Sequence, residues 1–154
     1  MFRRVLFIWL IALLFCGCLP SGPVSQTSGV HGAANYTVKV TANTSCPGAG
    51  ENVIVRAKVS NDGDRPEVAV AMNEPVFDLI VTGRERTIRW SDGKPLTPEL
   101  TRLELKPGEF KSVQLEFKSE GGSYNAIGRL VYDAQHPNGV VETRLFLNQW
   151  CGGY

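Results

Sequence analysis

Tyr36, Val38, Val40 and Ala42 alternate with Thr37, Lys39 and Thr41. A period of two puts every second side chain on one face of a half-buried strand. The rhythm returns where Val53, Val55, Ala57 and Val59 interleave with Ile54, Arg56, Lys58 and Ser60, and where Val113, Leu115 and Phe117 interleave with Ser112, Gln114 and Glu116. Val68-Ala69-Val70 predicts a short strand, and the apolar run 77–81, bounded by Pro75 and Gly83, predicts a central one. Thr87-Ile88-Arg89-Trp90 returns as its partner across the charged turn Arg84-Glu85-Arg86. Leu100, Leu103 and Leu105 resume strand spacing, although Leu100 and Leu103 also fit one helical turn. Tyr124 opens a strand with Ala126, Gly128, Leu130 and Tyr132 on one face, and 141–148 is the last strand.

Turn chemistry separates these runs. Asn61-Asp62-Gly63-Asp64 gathers residues that tolerate positive φ, which accounts for its acids without a metal, and its spacing does not match a calcium loop. Lys106-Pro107-Gly108-Glu109 has proline and glycine at the two central positions that favour a type II turn. Glu120-Gly121-Gly122-Ser123 is a corner, and His136-Pro137-Asn138-Gly139 carries the Asn-Gly hairpin signature. Roughly eight or nine strands without a sustained helical pattern predict an all-β fold, an immunoglobulin-like antiparallel β-sandwich with Greek-key connections. Tyr124 then serves either as a tyrosine corner bonded back to the backbone or as a packed core aromatic. Trp90 is expected to face inward. The first and last strands are expected side by side, in parallel, at one edge.

The N-terminus belongs to targeting. Arg3 and Arg4 precede an apolar run at 5–15 that is too short to cross a ~30 Å hydrocarbon core. Gly17 directly precedes Cys18, an arrangement that resembles the lipobox of bacterial lipoproteins; an ordinary secretory peptide or a short uncleaved anchor are the alternatives. The expected organisation is a signal peptide at 1–17, a flexible tether at 18–35 that is rich in small and polar residues, and a folded domain at 36–154. Cys18 is the expected lipidation site. The chain is thus expected to be exported and lipid-anchored in the bacterial cell envelope or periplasm.

Export changes the meaning of the other cysteines. Cys46 and Cys151 remain as a pair in the mature body, in a compartment that favours disulfides, and are expected to bridge. Of the 16 basic residues, removal of Arg3 and Arg4 leaves 14 against 15 acids, a balance that gives no electrostatic footprint for nucleic acid. Nothing in the sequence assembles catalytic parts. No Gly-x-Ser-x-Gly, His-Glu-x-x-His or Cys-x-x-Cys motif and no phosphate-cradling glycine loop is present. The expectation is a non-enzyme without metal or other cofactor.

Phe77-Asp78, Trp90-Ser91-Asp92-Gly93, Leu96-Thr97-Pro98, Leu105-x-Pro107-Gly108-Glu109 and Gly122-Ser123-Tyr124 follow one another between roughly residues 53 and 133. This order resembles the BsuPI-type intracellular proteinase inhibitor domain. The resemblance implies an immunoglobulin-like sandwich, in agreement with the strand pattern, and inhibition of serine proteinases. It carries no reactive-site residue onto this chain, and its signature residues read mainly as turns and core.

Two functions follow. The first is a non-catalytic envelope or cell-surface lipoprotein whose immunoglobulin-like domain binds a protein partner. The alternative is a proteinase inhibitor of serine proteases acting through an exposed loop. The candidate loops hold Arg84, Glu85 and Arg86, and Asp92 and Lys94 within 91–96. Arg84, Arg86 or Lys94 would suit a trypsin-like pocket that holds a carboxylate.

Overall fold

The computed structural model describes residues 22–29, 35–133 and 139–148. Alternation in sequence becomes alternation in burial. Every second side chain is buried along β2 (Tyr36–Ala42), β3 (Asn52–Asn61) and β10 (Val140–Leu147). Among the described residues the remaining strands are β1 (Val24–Gly29), β4 (Glu67–Val70), β5 (Phe77–Thr82), β6 (Thr87–Arg89), β7 (Arg102–Leu105), β8 (Phe110–Lys118) and β9 (Tyr124–Val131), with a single helical turn α1 (Pro98–Thr101).

One sheet has the order β1-β2-β3-β8 and the facing one β10-β9-β5-β6, while β4 and β7 form a small ladder of their own. Every pairing is antiparallel. The fold is an all-β sandwich with the Greek-key connectivity of the immunoglobulin type. Val38, Val40, Val55 and Ala57 from one sheet meet Leu79, Val81, Ala126 and Leu130 from the other, all buried. Each of the valines and leucines among them contributes about 1.5–3 kcal/mol on burial. The sheets approach closely at Gly128, where an added Cβ would stand 2.8 Å from Val40 Cγ2 and 3.0 Å from Val38 Cγ1. A larger residue there would force the layers apart.

The turns form as their residues dictate. Glu109 donates its N–H to Lys106 O at 2.9 Å, with Gly108 at φ 76° in the position a type II turn requires. Asn61 is buried, donating from Nδ2 to Arg65 O at 2.7 Å and Leu105 O at 2.9 Å, so it ties the turn to β7.

Three expectations need correction. Residues 24–29, placed in a flexible tether spanning 18–35, form β1 and pair with β2 from Val24↔Ala42 to Gly29↔Thr37. The open edge of β2 offers unpaired N–H and C=O groups, and small polar residues suffice to satisfy them. The described residues therefore hold ten strands rather than eight or nine. Secondly, β2 and β10 do not share a ladder. They lie in facing sheets and run in the same direction, linked by Thr143 Oγ1 donating to Val38 O at 2.8 Å and Asn148 N–H donating to Ser45 O at 2.9 Å. Thirdly, Trp90 lies only half-buried at the margin of the core, and Lys94 Nζ sits 3.2 Å from its ring centroid. Leu100 falls in α1 and Leu103 in β7, so the two spacings weighed for them are both used.

Candidate protein-binding loops

The connection from β6 to α1 is built on a buried acid. Phe77, Asp78 and Leu79 are buried in succession, so β5 is covered on both faces at this point. A carboxylate in such a place is costly unless donors surround it. Asp78 Oδ1 accepts the N–H groups of Leu79 at 2.9 Å and Ser91 at 3.2 Å, and Oδ2 accepts the Ser91 hydroxyl at 2.7 Å. Hydrogen bonds to a charged group are worth about 1.5–3 kcal/mol each. They pin the first residue of the loop to the core.

From Ser91 the chain rises. Asp92 Oδ2 accepts the Arg89 N–H at 2.9 Å, and Lys94 donates its N–H to Ser91 O at 3.0 Å, closing a turn. The Lys94 ammonium then covers the indole face, a cation–π contact worth about 0.5–1 kcal/mol at an exposed site. Pro95 and Pro98 fix their own φ angles and drive the preceding residues, Lys94 and Thr97, toward extended conformations. Thr97 is extended at φ −98° and ψ 165°.

The far side of the loop is anchored as well. Thr97 O accepts the N–H groups of Leu100 and Thr101 at 2.9 and 3.0 Å. Val76 donates its N–H to Leu100 O at 2.7 Å, Ala71 donates its N–H to Thr101 O at 2.8 Å, and Lys111 Nζ reaches Glu99 O at 3.2 Å. The Thr97 hydroxyl, the Glu99 backbone N–H and the Lys111 charge together hold the Glu99 carboxyl below its ordinary value. Between these anchors, every residue of 92–96 is exposed.

The turn between β5 and β6 lies at the opposite end of the sandwich. Gly83 donates its N–H to Arg86 O at 2.9 Å, a four-residue turn that leaves Arg84, Glu85 and Arg86 exposed. Arg86 Nε faces Glu120 Oε1 at 3.4 Å and its Nη2 reaches Lys118 O at 3.4 Å. Arg84, Glu85 and Glu120 line a concavity of about 430 Å³ with Gly121 and Ser123. Beneath it, Glu120 donates its N–H to the Tyr124 hydroxyl at 2.8 Å, and Ser119 Oγ lies 3.3 Å from that oxygen. This is a tyrosine corner, at the β8–β9 position that such sandwiches use. The Tyr124 ring packs on Phe117 with centroids 5.1 Å apart. It also fills the space above Gly83, where a Cβ would come within 2.7 Å of the ring.

The structure thus separates the candidate residues. Arg84, Glu85 and Arg86 stand at one end, Asp92 and Lys94 at the other, with β5 and β6 between them. Cys46 is half-buried in the β2–β3 loop, its N–H donated to Thr44 Oγ1 at 3.2 Å. Cys18 and Cys151 lie outside the described residues. Two residues have no functional role in the sequence reading yet define this loop: Asp78 in β5, which anchors it, and Leu96, 52% exposed near its crest. A leucine enclosed by two prolines in a polar connection is the signal that points to the second.

Comparison with known proteins adds a family. The model of the BsuPI family, described as an intracellular proteinase inhibitor, matches residues 34–134. No curated protein matches the chain. Among solved structures the chain is similar to a β-glucosidase of Erythrobacter marinus, at 18% identity and a TM-score of 0.36, over 80% of this chain and 15% of that one. At that level of similarity it carries no argument.

Proposed function

Since the chain belongs to the BsuPI intracellular proteinase inhibitor family, we propose that it inhibits a serine proteinase and presents the 91–97 loop to the enzyme. An inhibitor of this kind is not itself a catalyst. The protein-binding module expected from sequence becomes, in this reading, a module whose bound partner is a protease. The observation that carries the choice of loop is the anchoring of Ser91 on buried Asp78 beneath a crest, 92–96, whose residues are all exposed. Protease–inhibitor complexes form with little backbone movement, so a loop held at both ends is suited to the task. Arg84, Glu85 and Arg86 sit in a closed turn beside a concavity and not on an extended segment anchored at both ends. The test is titration of the full chain into active-site-counted serine proteinases. Activity should fall linearly and vanish near equimolar chain; an enzyme that stays active and cuts the chain within 91–97 removes the proposal.

We also propose that the chain is exported, lipidated at Cys18 and bridged between Cys46 and Cys151. Support for the bridge comes from the Asn148–Ser45 hydrogen bond, which holds the chain beside the neighbour of Cys46 with only two residues left before Cys151. Closing a loop of about a hundred residues would stabilise by about 4–5 kcal/mol in the chain-entropy model. One intact-mass measurement on chain extracted from membranes and alkylated without reduction checks both. A mass increment of acyl chains on a polypeptide starting at Cys18, without alkylation, is expected. An unacylated mass removes the anchor, and two alkyl groups remove the bridge.

A further inference from the structure

We infer that Leu96 is the side chain with which the loop enters the enzyme, so that the partner is a serine proteinase with an apolar primary specificity pocket. This rests on the inhibitor function proposed above. A segment that occupies a protease cleft needs extended backbone with free hydrogen-bonding groups, a projecting side chain not held by its own protein, and anchors that limit the ordering cost.

Leu96 meets each condition. Pro95 and Pro98 restrict Lys94 and Thr97, on either side of Leu96, toward extended backbone, and Thr97 is extended at φ −98° and ψ 165°. Among the described residues, no hydrogen bond engages the Leu96 backbone N–H or carbonyl, so both are open to pair with an enzyme strand. Its side chain is 52% exposed. A single exposed leucine is ordinary on a protein surface, but here it lies between the Asp78–Ser91 anchor and the α1 anchor.

The cations compete poorly. The Lys94 ammonium is occupied by the Trp90 face, and Lys94 is followed by Pro95, which has no N–H to offer at the bond beyond it. Arg86 is paired with Glu120. Arg84 lies in a four-residue turn that cannot be extended without breaking the Gly83–Arg86 hydrogen bond. A pocket lined by apolar groups takes a leucine, whereas a pocket floored by a carboxylate takes a lysine or arginine.

The experiment measures inhibition constants of the full chain and its Leu96→Asp and Leu96→Lys variants. The enzymes are a subtilisin-type and a chymotrypsin-type protease, with apolar pockets, and a trypsin-type protease with an acidic one. The parent chain should inhibit the apolar-pocket enzymes in preference to the trypsin-type one. Leu96→Asp should weaken that inhibition by about 100-fold, the loss expected of a central buried anchor, and Leu96→Lys should transfer inhibition to the trypsin-type enzyme. Circular dichroism should be unchanged in both variants because the side chain is exposed. If the parent chain inhibits and both variants keep its potency and selectivity, the assignment of Leu96 fails while inhibition stands. If the parent chain prefers the acidic pocket, the assignment also fails. If it inhibits none of the three, the assignment and the inhibitor function fail together.

Discussion

At the end of the sandwich that carries Tyr124, the chain folds back on itself; at the end that carries Asp78, it is tied down from beneath and left to project. The corner end spends its hydrogen bonds inward. The Tyr124 hydroxyl takes the Glu120 N–H, Gly83 lies flat against the ring, and Arg86 turns toward Glu120, leaving a hollow. The loop end buries its anchor and exposes the residues that follow it. A second buried tyrosine sharpens the contrast. Tyr36 opens β2 at the loop end, and its hydroxyl has no hydrogen-bond partner among the described residues. Burial, with the nearby Glu67 charge, pushes its pKa up to about 12. The same residue type is a fastener at one end and a tolerated cost at the other. Immobility and projection are thus achieved by different means in one small fold.

The largest effect should come from cutting the loop's anchor. Asp78→Ala removes the acceptor of three hydrogen bonds and leaves the Ser91 donors unmet, and we expect a loss of about 3 kcal/mol. The denaturant midpoint reports this, and limited proteolysis should show faster nicking within 91–97. A midpoint shift below about 1 kcal/mol would mean that the projecting end does not depend on its buried acid. Next in size is Tyr124→Phe, which should cost about 1–2 kcal/mol by the same measurement, since the Glu120 N–H loses its acceptor.

The smallest effect carries the opposite sign. Tyr36→Phe removes an unpaired buried hydroxyl and should leave stability unchanged or raise it by about 1 kcal/mol. Its pH dependence follows from the raised pKa. The fold favours the neutral phenol, so its contribution is complete below pH ~10, the ordinary tyrosine pKa, and is lost as pH climbs toward about 12. Alkaline unfolding monitored by tyrosinate absorbance should therefore show one late-titrating tyrosine that is missing from Tyr36→Phe. Equal losses from the two Tyr→Phe changes would erase the distinction between the ends.

Much of this was readable before the structure. The alternations in β2, β3 and β8, the Pro107-Gly108 turn and the glycine-rich corner before Tyr124 are local, and local rules decide them. The departures have physical causes of their own. β1 has no apolar alternation to announce it, because backbone pairing on an open edge holds its small polar residues. Asp78 reads as an interruption in an apolar run, and only the return of Ser91 beneath the loop reveals it as a fastener. Trp90 looks like core, but the three-residue β6 ends just before it and leaves its ring at the rim, open to Lys94. The opposite placement of 84–86 and 91–96 depends on the β5–β6 pairing, which composition does not encode.

The direction of β1 bears on where the molecule would stand. Because Val24 pairs with Ala42, the chain enters the sandwich at the corner end. A lipid on Cys18 would precede Val24 by five intervening residues, a reach of at most about 20 Å at ~3.3–3.6 Å per residue. The domain would then be planted like a post with its corner toward the bilayer. The ten residues of β3, rising ~3.3 Å each, would lift the opposite end about 33 Å higher. A protease diffusing along the envelope would meet the 91–97 loop at the top of that post, while the hollow beside Arg84 would look down at the lipid headgroups.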